Sequence, residues 1–344
     1  MAEHSQTVVE SQPHAAPPPP DENLTGVDYA RDRQHLRWDR PIVDIHAHVH
    51  LAGPESGTAT IEPVAAMFRQ ARSFGVVCTL AMSPVDQFKQ LREALGDQIQ
   101  FNIMVSKKPD EPDLAPIARL EKAAELGACC AKLWAAPSGH ERSLRLLESY
   151  RREALTRMSA LGIRLLMVHV ADPDAWFSRP DKYADTARFG HKMEHYLPLV
   201  ELLENWPELH VIAAHMGGWP ERPDLLAALL ERYPQLHLDT SATKWIVRAA
   251  AAAPQGFADL IRSYPDRILF GTDLVVRHAL SDEHYASRYW VLRTLFESSL
   301  QTTSPIRDPD FAPAPSPPLT GLGLTDAVLA QIYWSNARRL LGPG

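Results

Sequence analysis

From Pro41 onward, short apolar runs alternate with longer segments whose apolar residues recur at helical spacing. The runs end near His48, Ser83, Ser106, Trp134, His169, His215, Ser241 and Asp273, which predicts eight strands. Helices are predicted over about 61–74, 85–95, 113–126, 143–161, 191–205, 222–233, 245–264 and 284–298, with a last one near 325–341. The strands are apolar on both faces, the signature of a parallel sheet covered by helices. Eight such β–α units suffice to close a (β/α)8 TIM barrel, and 344 residues exceed the length such a barrel needs, about 250 residues.

Three segments break the alternation. Residues 1–38 are polar and carry Pro17 to Pro20 in a row, so they are expected to form a disordered tail ahead of a barrel domain at 39–344. Residues 171–190 hold Trp176, Phe177, Tyr183 and Phe189 among Asp and Pro. They predict a loop on the catalytic face, either a lid or an insertion packed by its own aromatics. The proline-rich stretch 302–323 is expected to cross the surface before the last helix docks.

The net charge of −7 and the absence of a basic block argue against a nucleic-acid partner. The first residues lack a basic, then apolar, leader, and no apolar run reaches the roughly 18 residues of a membrane span, so a cytoplasmic location is expected. The three cysteines fall within predicted strands and read as small buried apolar residues rather than a disulfide framework. The expected partner is a small-molecule substrate, taken up by a monomer or a homo-oligomer.

The chemistry is concentrated at strand ends. His46 and His48 lie two residues apart in a strand and so share a face. His169, His215 and Asp273 each close another run. One His-x-His pair among fifteen histidines is weak evidence; four histidines and an aspartate at the C-terminal ends of barrel strands are much stronger. Imidazoles and a carboxylate suit zinc or a neighbouring divalent ion, with a position left for water.

The pattern Asp44-Ile45-His46-Ala47-His48, His169, His215-Met216-Gly217-Gly218 and Gly271-Thr272-Asp273 resembles the amidohydrolase superfamily. With the closing run Trp334 to Gly342, it is similar to the amidohydrolase-related branch that includes aminocarboxymuconate semialdehyde decarboxylase. The likeness spans about residues 40–342. It implies that His46, His48, His169 and Asp273 hold one divalent metal, most readily zinc, with Asp273 as general base and His215 as a nearby acid, base or polarising group. Lys132 stands where binuclear members carry a carbamylated lysine bridging two metals; here a cationic role toward substrate is favoured. The leading expectation is a metal-dependent hydrolase of an amide, lactone or ester. The alternative is a non-oxidative decarboxylase in which His215 moves a proton to carbon and Arg248 or Lys132 holds an acid group. A purely structural metal site is disfavoured, because such sites close their coordination.

Around this centre, Trp134, Trp219, Lys244, Arg248 and Arg277 follow strand ends, where an aromatic wall and a carboxylate clamp would sit. Asp44 is expected either to fix an imidazole tautomer or to serve as a buried structural carboxylate. Asp239 to Thr243 offers small hydroxyls beside the metal or ordinary capping of the next helix. His50 is left outside the ligand set, and His278 is a candidate for the pocket lining.

Overall fold

The computed structural model describes residues 21–52, 60–107, 111–112, 114–137, 149–277 and 280–342. Strands β1 (Ile42–His48), β2 (Val76–Met82), β3 (Ile99–Met104), β4 (Ala128–Trp134), β5 (Leu165–His169), β6 (His210–Ala213), β7 (Leu236–Asp239), β8 (Ile268–Leu269) and β9 (Leu274–Val275) form one parallel sheet in the order β8-β7-β6-β5-β4-β3-β2-β1-β9. β8 and β9 are two halves of the eighth barrel strand. β8 pairs with β7 and β9 with β1, and between them Ile45 N–H donates to Phe270 O and Asp273 N–H to His46 O, both at 2.8 Å. The TIM barrel predicted from the alternation is therefore closed through the segment that carries Asp273.

Helices follow the strands at nearly the expected places, and their buried faces pack on an apolar layer rich in Val, Ile, Leu and Phe. Inside the barrel, Val43, Ile45, Cys130, Met167, Ile212 and Leu269 belong to a second, smaller cluster. The predicted helix 245–264 is two helices, Thr243–Ala252 and Pro254–Ser263, because Pro254 cannot continue the first. Of the predicted helix 143–161, only Ser149–Ala160 lies within the described residues.

The tail expectation needs correction for residues 21–38. Tyr29 and Trp38 are buried against the helix Asp282–Glu297. Tyr29 meets Trp290 edge-on at 6.0 Å, Trp290 Nε1 donates to Asp32 O at 2.7 Å, and Trp38 N–H donates to Glu297 Oε2 at 2.9 Å. Two large rings give this polar stretch the apolar area that its average composition hides. Residues 1–20 lie outside the described residues.

The aromatic loop packs on itself, as one of the two expectations held: Tyr183 lies 5.4 Å from Phe177 and 5.2 Å from Phe189, centroid to centroid. In the proline-rich segment, β10 (Gln301–Thr303) and β11 (Pro318–Thr320) form an antiparallel pair. Cys78, Cys129 and Cys130 are free thiols. No helix among the described residues is long and apolar enough to cross a membrane.

Candidate metal centre

A bulge in β1 between Asp44 and Ala47 shifts its register against β2 just where the two histidines leave the barrel wall. Asp44 fixes this bend. Its Oδ1 accepts from the backbone N–H groups of His46 and Thr272, each at 3.1 Å, and its Oδ2 from Thr272 Oγ1 at 2.6 Å and Tyr289 OH at 3.2 Å. Asp44 thus clamps β1 to the residue before Asp273, the structural alternative, and makes none of these bonds to an imidazole. Burial pushes its carboxyl up to about 6 despite these donors. Gly271 completes the approach: a Cβ there would stand 3.1 Å from His46 Cβ, tighter than ordinary packing allows.

The carboxylate that sets the tautomer is Asp239, at the end of β7. Its Oδ2 lies 2.9 Å from His46 Nδ1, and Ser241 Oγ lies at 2.9 Å from the same nitrogen. Asp239 Oδ1 accepts from the N–H of His215 at 2.8 Å and of Ser241 at 3.0 Å. Burial raises the Asp239 pKa, but His46, His215 and the Ser241 hydroxyl outweigh it and hold the group ionised below its ordinary range. With Nδ1 engaged, His46 turns Nε2 to the mouth, 3.3 Å from Asp273 Oδ1 and 2.6 Å from Lys132 Nζ. His48 Nε2 reaches the same Asp273 oxygen at 3.0 Å.

His46, His48 and Asp273 therefore present three donor atoms within 4.8 Å of one another. A second group, His46, His215 and Asp239, meets the same distance test. Its carboxylate oxygens are already occupied by the bonds just described, which makes Asp239 a support rather than a ligand. Burial pushes His48 down to about 4, against the opposing bond from Asp273, so its imidazole is neutral and its lone pair available. At Asp273, burial raises the pKa, but the charges of His215 and His46 and the bond from His48 leave it well below the usual carboxylate range. The two imidazoles and one carboxylate fit a divalent ion such as zinc.

His169, the fourth predicted ligand, stands apart from this group. Its Nε2 is 2.9 Å from Asp172 Oδ1, and its Nδ1 is 3.2 Å from His215 Nε2. Asp172 in turn accepts from Tyr183 OH at 2.7 Å, so one nitrogen of His169 is engaged through the aromatic loop and the other with His215. His215 is fixed by Ser241 Oγ, 2.7 Å from its Nδ1, and burial pushes its pKa down to about 3.

Two of the functional residues occupy left-handed backbone. His215 has φ 58° and Asp273 φ 59°, a conformation that costs a non-glycine residue roughly 1–3 kcal/mol and persists only where the surroundings enforce it. The enforcing contacts are the bonds from His215 N–H to Asp239 and from Asp273 N–H to His46 O. Gly218 closes the turn after β6 at φ 73°, where a Cβ would strike Ala171 O at 2.0 Å. His215 and Met216 thus lie in a tight turn and not in the strand predicted to end there.

The other expected site residues divide. Lys132 is buried beside His46; burial lowers its pKa while Asp273 and Asp239 oppose the shift. Trp134, partly exposed, lies 6.2 Å from the His169 ring. Trp219 is instead buried against Tyr196 at 4.9 Å and Lys192 at 4.8 Å, a packing role. Arg248 is no open clamp: it is bonded to Asp308 and stands 3.7 Å from Asp310. The wall residue missed in the sequence is Trp245, 5.3 Å from His215, 6.2 Å from His169 and 5.4 Å from Trp176. Its only signal is its place just after a strand end. His278 lies outside the described residues.

Two cavities meet the donor group. One of about 850 Å³ is lined by His48, His50, Met82, Ile103 and Met104; the other, of about 300 Å³, by Asp273, Trp245 and residues of the helix Asp282–Glu297.

The chain is similar in fold to amidohydrolase 2 from Bifidobacterium longum subsp. infantis, with TM-score 0.47 and 15% identity over 88% of this chain and 98% of that one. It is similar also to 5-carboxyvanillate decarboxylase LigW from Sphingomonas paucimobilis, with TM-score 0.49 and 13% identity over 88% and 98%. A third likeness is to an Agrobacterium tumefaciens protein in its apo form, with TM-score 0.50 and 14% identity over 89% and 97%. At 14% identity the third likeness bears on the fold alone. No curated protein matches the sequence. The family model described as Amidohydrolase matches residues 43–342, from the second residue of β1 to the residue after the last helix. A match over that length makes this chain a member of the amidohydrolase family.

Proposed function

We propose that the chain is a metal-dependent hydrolase that adds water to an amide, lactone or ester of a small organic substrate. The observation that carries this reading is the Asp273 carboxylate. One of its oxygens lies 3.0 Å from His48 Nε2 and 3.3 Å from His46 Nε2, with the side chain partly open to solvent. A divalent ion bound by His46, His48 and Asp273 supplies an acidified water and a Lewis acid for the substrate carbonyl.

The chain's own residues do the rest. Asp239 and Ser241 fix His46 with Nε2 forward. Asp273 is held ionised, and its second carboxylate oxygen is the atom that accepts a proton. His215 is anchored through Nδ1, leaving Nε2, near His169, as the atom that passes a proton. Lys132, beside His46, faces the negative charge that develops on the substrate.

Esters, lactones and amides screened with metal-reconstituted protein and read by mass spectrometry test the reaction. Products whose masses sum to that of the substrate plus one water, a single heavier product in the case of a lactone, support hydrolysis. Release of carbon dioxide from a carboxylated compound would replace this reading with the decarboxylase, which uses the same ligands.

A further inference from the structure

The smaller cavity lies between the start of the helix Thr243–Ala252, the chain just after Asp273, and the helix Asp282–Glu297. Lys244, Arg277 and Arg288 line it, and among the described residues Asp273 is the one carboxylate in its lining. None of the three cations forms an ion pair with a carboxylate among the described residues. The contrast with Arg248, on the same helix as Lys244, is direct: that guanidinium is neutralised by Asp308 and Asp310. Arg288 is instead held by His284 O at 3.1 Å and Ser287 Oγ at 2.8 Å, contacts that position its charge without cancelling it.

Arg288 also repels Lys244. Burial, and then the charge of Arg288, lower the pKa of Lys244; Asp308, Asp21 and Glu22 act in the other direction from beyond ion-pair distance. Burial brings Arg288 down to about 10 while the charge of Glu22, beyond ion-pair distance, acts in the other direction, so it stays charged at neutral pH.

Backbone and hydroxyl donors reinforce the positive field. Residue Ala242 precedes the ten-residue helix Thr243–Ala252 with φ 63° and offers no side-chain cap. The first N–H of that helix with a backbone acceptor is that of Trp245, bonded to Ala242 O at 2.8 Å, and those of Thr243 and Lys244 have no acceptor among the described residues. Thr243 lines the cavity, is 4% exposed, and its Oγ1 has no hydrogen-bond partner. A buried hydroxyl left unpaired costs free energy unless something binds it.

We infer that this cavity is an oxyanion subsite. It holds an acid group of the substrate, a carboxylate or a phosphate, against Lys244, Arg288, the Thr243 hydroxyl and the first turn of Thr243–Ala252. The reacting bond then faces Asp273, a placement that rests on the reading of His46, His48 and Asp273 as the reacting centre. A volume of about 300 Å³ accommodates an acid group and a few carbons, not a macromolecule.

Calorimetric titration of the metal-loaded chain with malonate, and separately with inorganic phosphate, tests the subsite, with metal content measured on every sample. The wild-type chain binds at least one of the two anions. Lys244→Met and Arg288→Met each weaken it by about tenfold or more at unchanged metal content, and Lys244→Arg restores it. The metal-poor His48→Ala variant retains the binding. Malonate binding assigns a carboxylate and phosphate binding a phosphate; either supports the subsite. Three results overturn it: no binding to the wild-type chain, affinity unchanged in both cation variants, or binding lost in His48→Ala alone. The last would put the anion on the metal. The metal assays report separately on the reacting centre, so its failure is distinguishable from failure of the subsite.

Discussion

His46 on β1 and Asp239 at the end of β7, with only the eighth strand between them, meet at 2.9 Å, and this one contact decides which nitrogen of His46 faces the mouth. If Asp239 fixes the ring, Asp239→Asn should weaken metal affinity by about 10–100-fold while the barrel folds. Competition with a chromogenic chelator measures this. Unchanged affinity would show that the contact is structural only.

For His215 the expectation is loss of rate without loss of metal. Asn tolerates the left-handed φ of 58° found here, so His215→Asn should preserve the turn after β6. Turnover should fall by roughly 10²–10⁴-fold at unchanged metal content. Metal lost in parallel with activity would make His215 a ligand.

Asp273 separates ligation from backbone strain. Both Asp273→Asn and Asp273→Ala remove the carboxylate. Alanine also pays for its left-handed φ of 59°, so it should be the less stable of the two by about 1–2 kcal/mol. Urea denaturation with chelator present makes the comparison. Equal stabilities would mean that the turn relaxes on substitution.

Arg248 should affect stability rather than binding. Replacing it by Met leaves Asp308, 1% exposed in its side chain, without its cation, at a cost of about 3 kcal/mol. The urea midpoint should fall while KM for any substrate found in the screen stays within a few-fold. A large rise in KM at unchanged stability would return Arg248 to the substrate clamp.

The parts of the site that were legible in the sequence are those that need only a strand and its end. Spacing alone placed His46 and His48 on one face, and a strand-end position marked Asp273, because β–α alternation fixes where barrel strands open. Asp239 carries the same signature, yet its run is short and its aspartate stands beside Thr and Ser, which read equally well as a helix cap. The ring of His169 is turned by Asp172 and, through it, by Tyr183, an orientation that strand periodicity does not encode. Asp308 lies sixty positions from Arg248, in a proline-rich stretch with no periodic pattern, so only the folded chain reveals the pair. The packing of residues 21–38 was hidden for a related reason: its two buried rings, Tyr29 and Trp38, with Val27 and Leu36 beside them, are scattered within a polar composition.

The most direct test of the metal centre is the metal content of the protein by elemental analysis, combined with intact-mass measurement under conditions that preserve a carbamate. The account predicts about one divalent ion per chain in the wild type, no mass gain of one carbon dioxide at Lys132, and loss of the ion in each of His46→Ala, His48→Ala and Asp273→Asn. Full occupancy in two of those variants, or two ions per chain with Lys132 carbamylated, would contradict it.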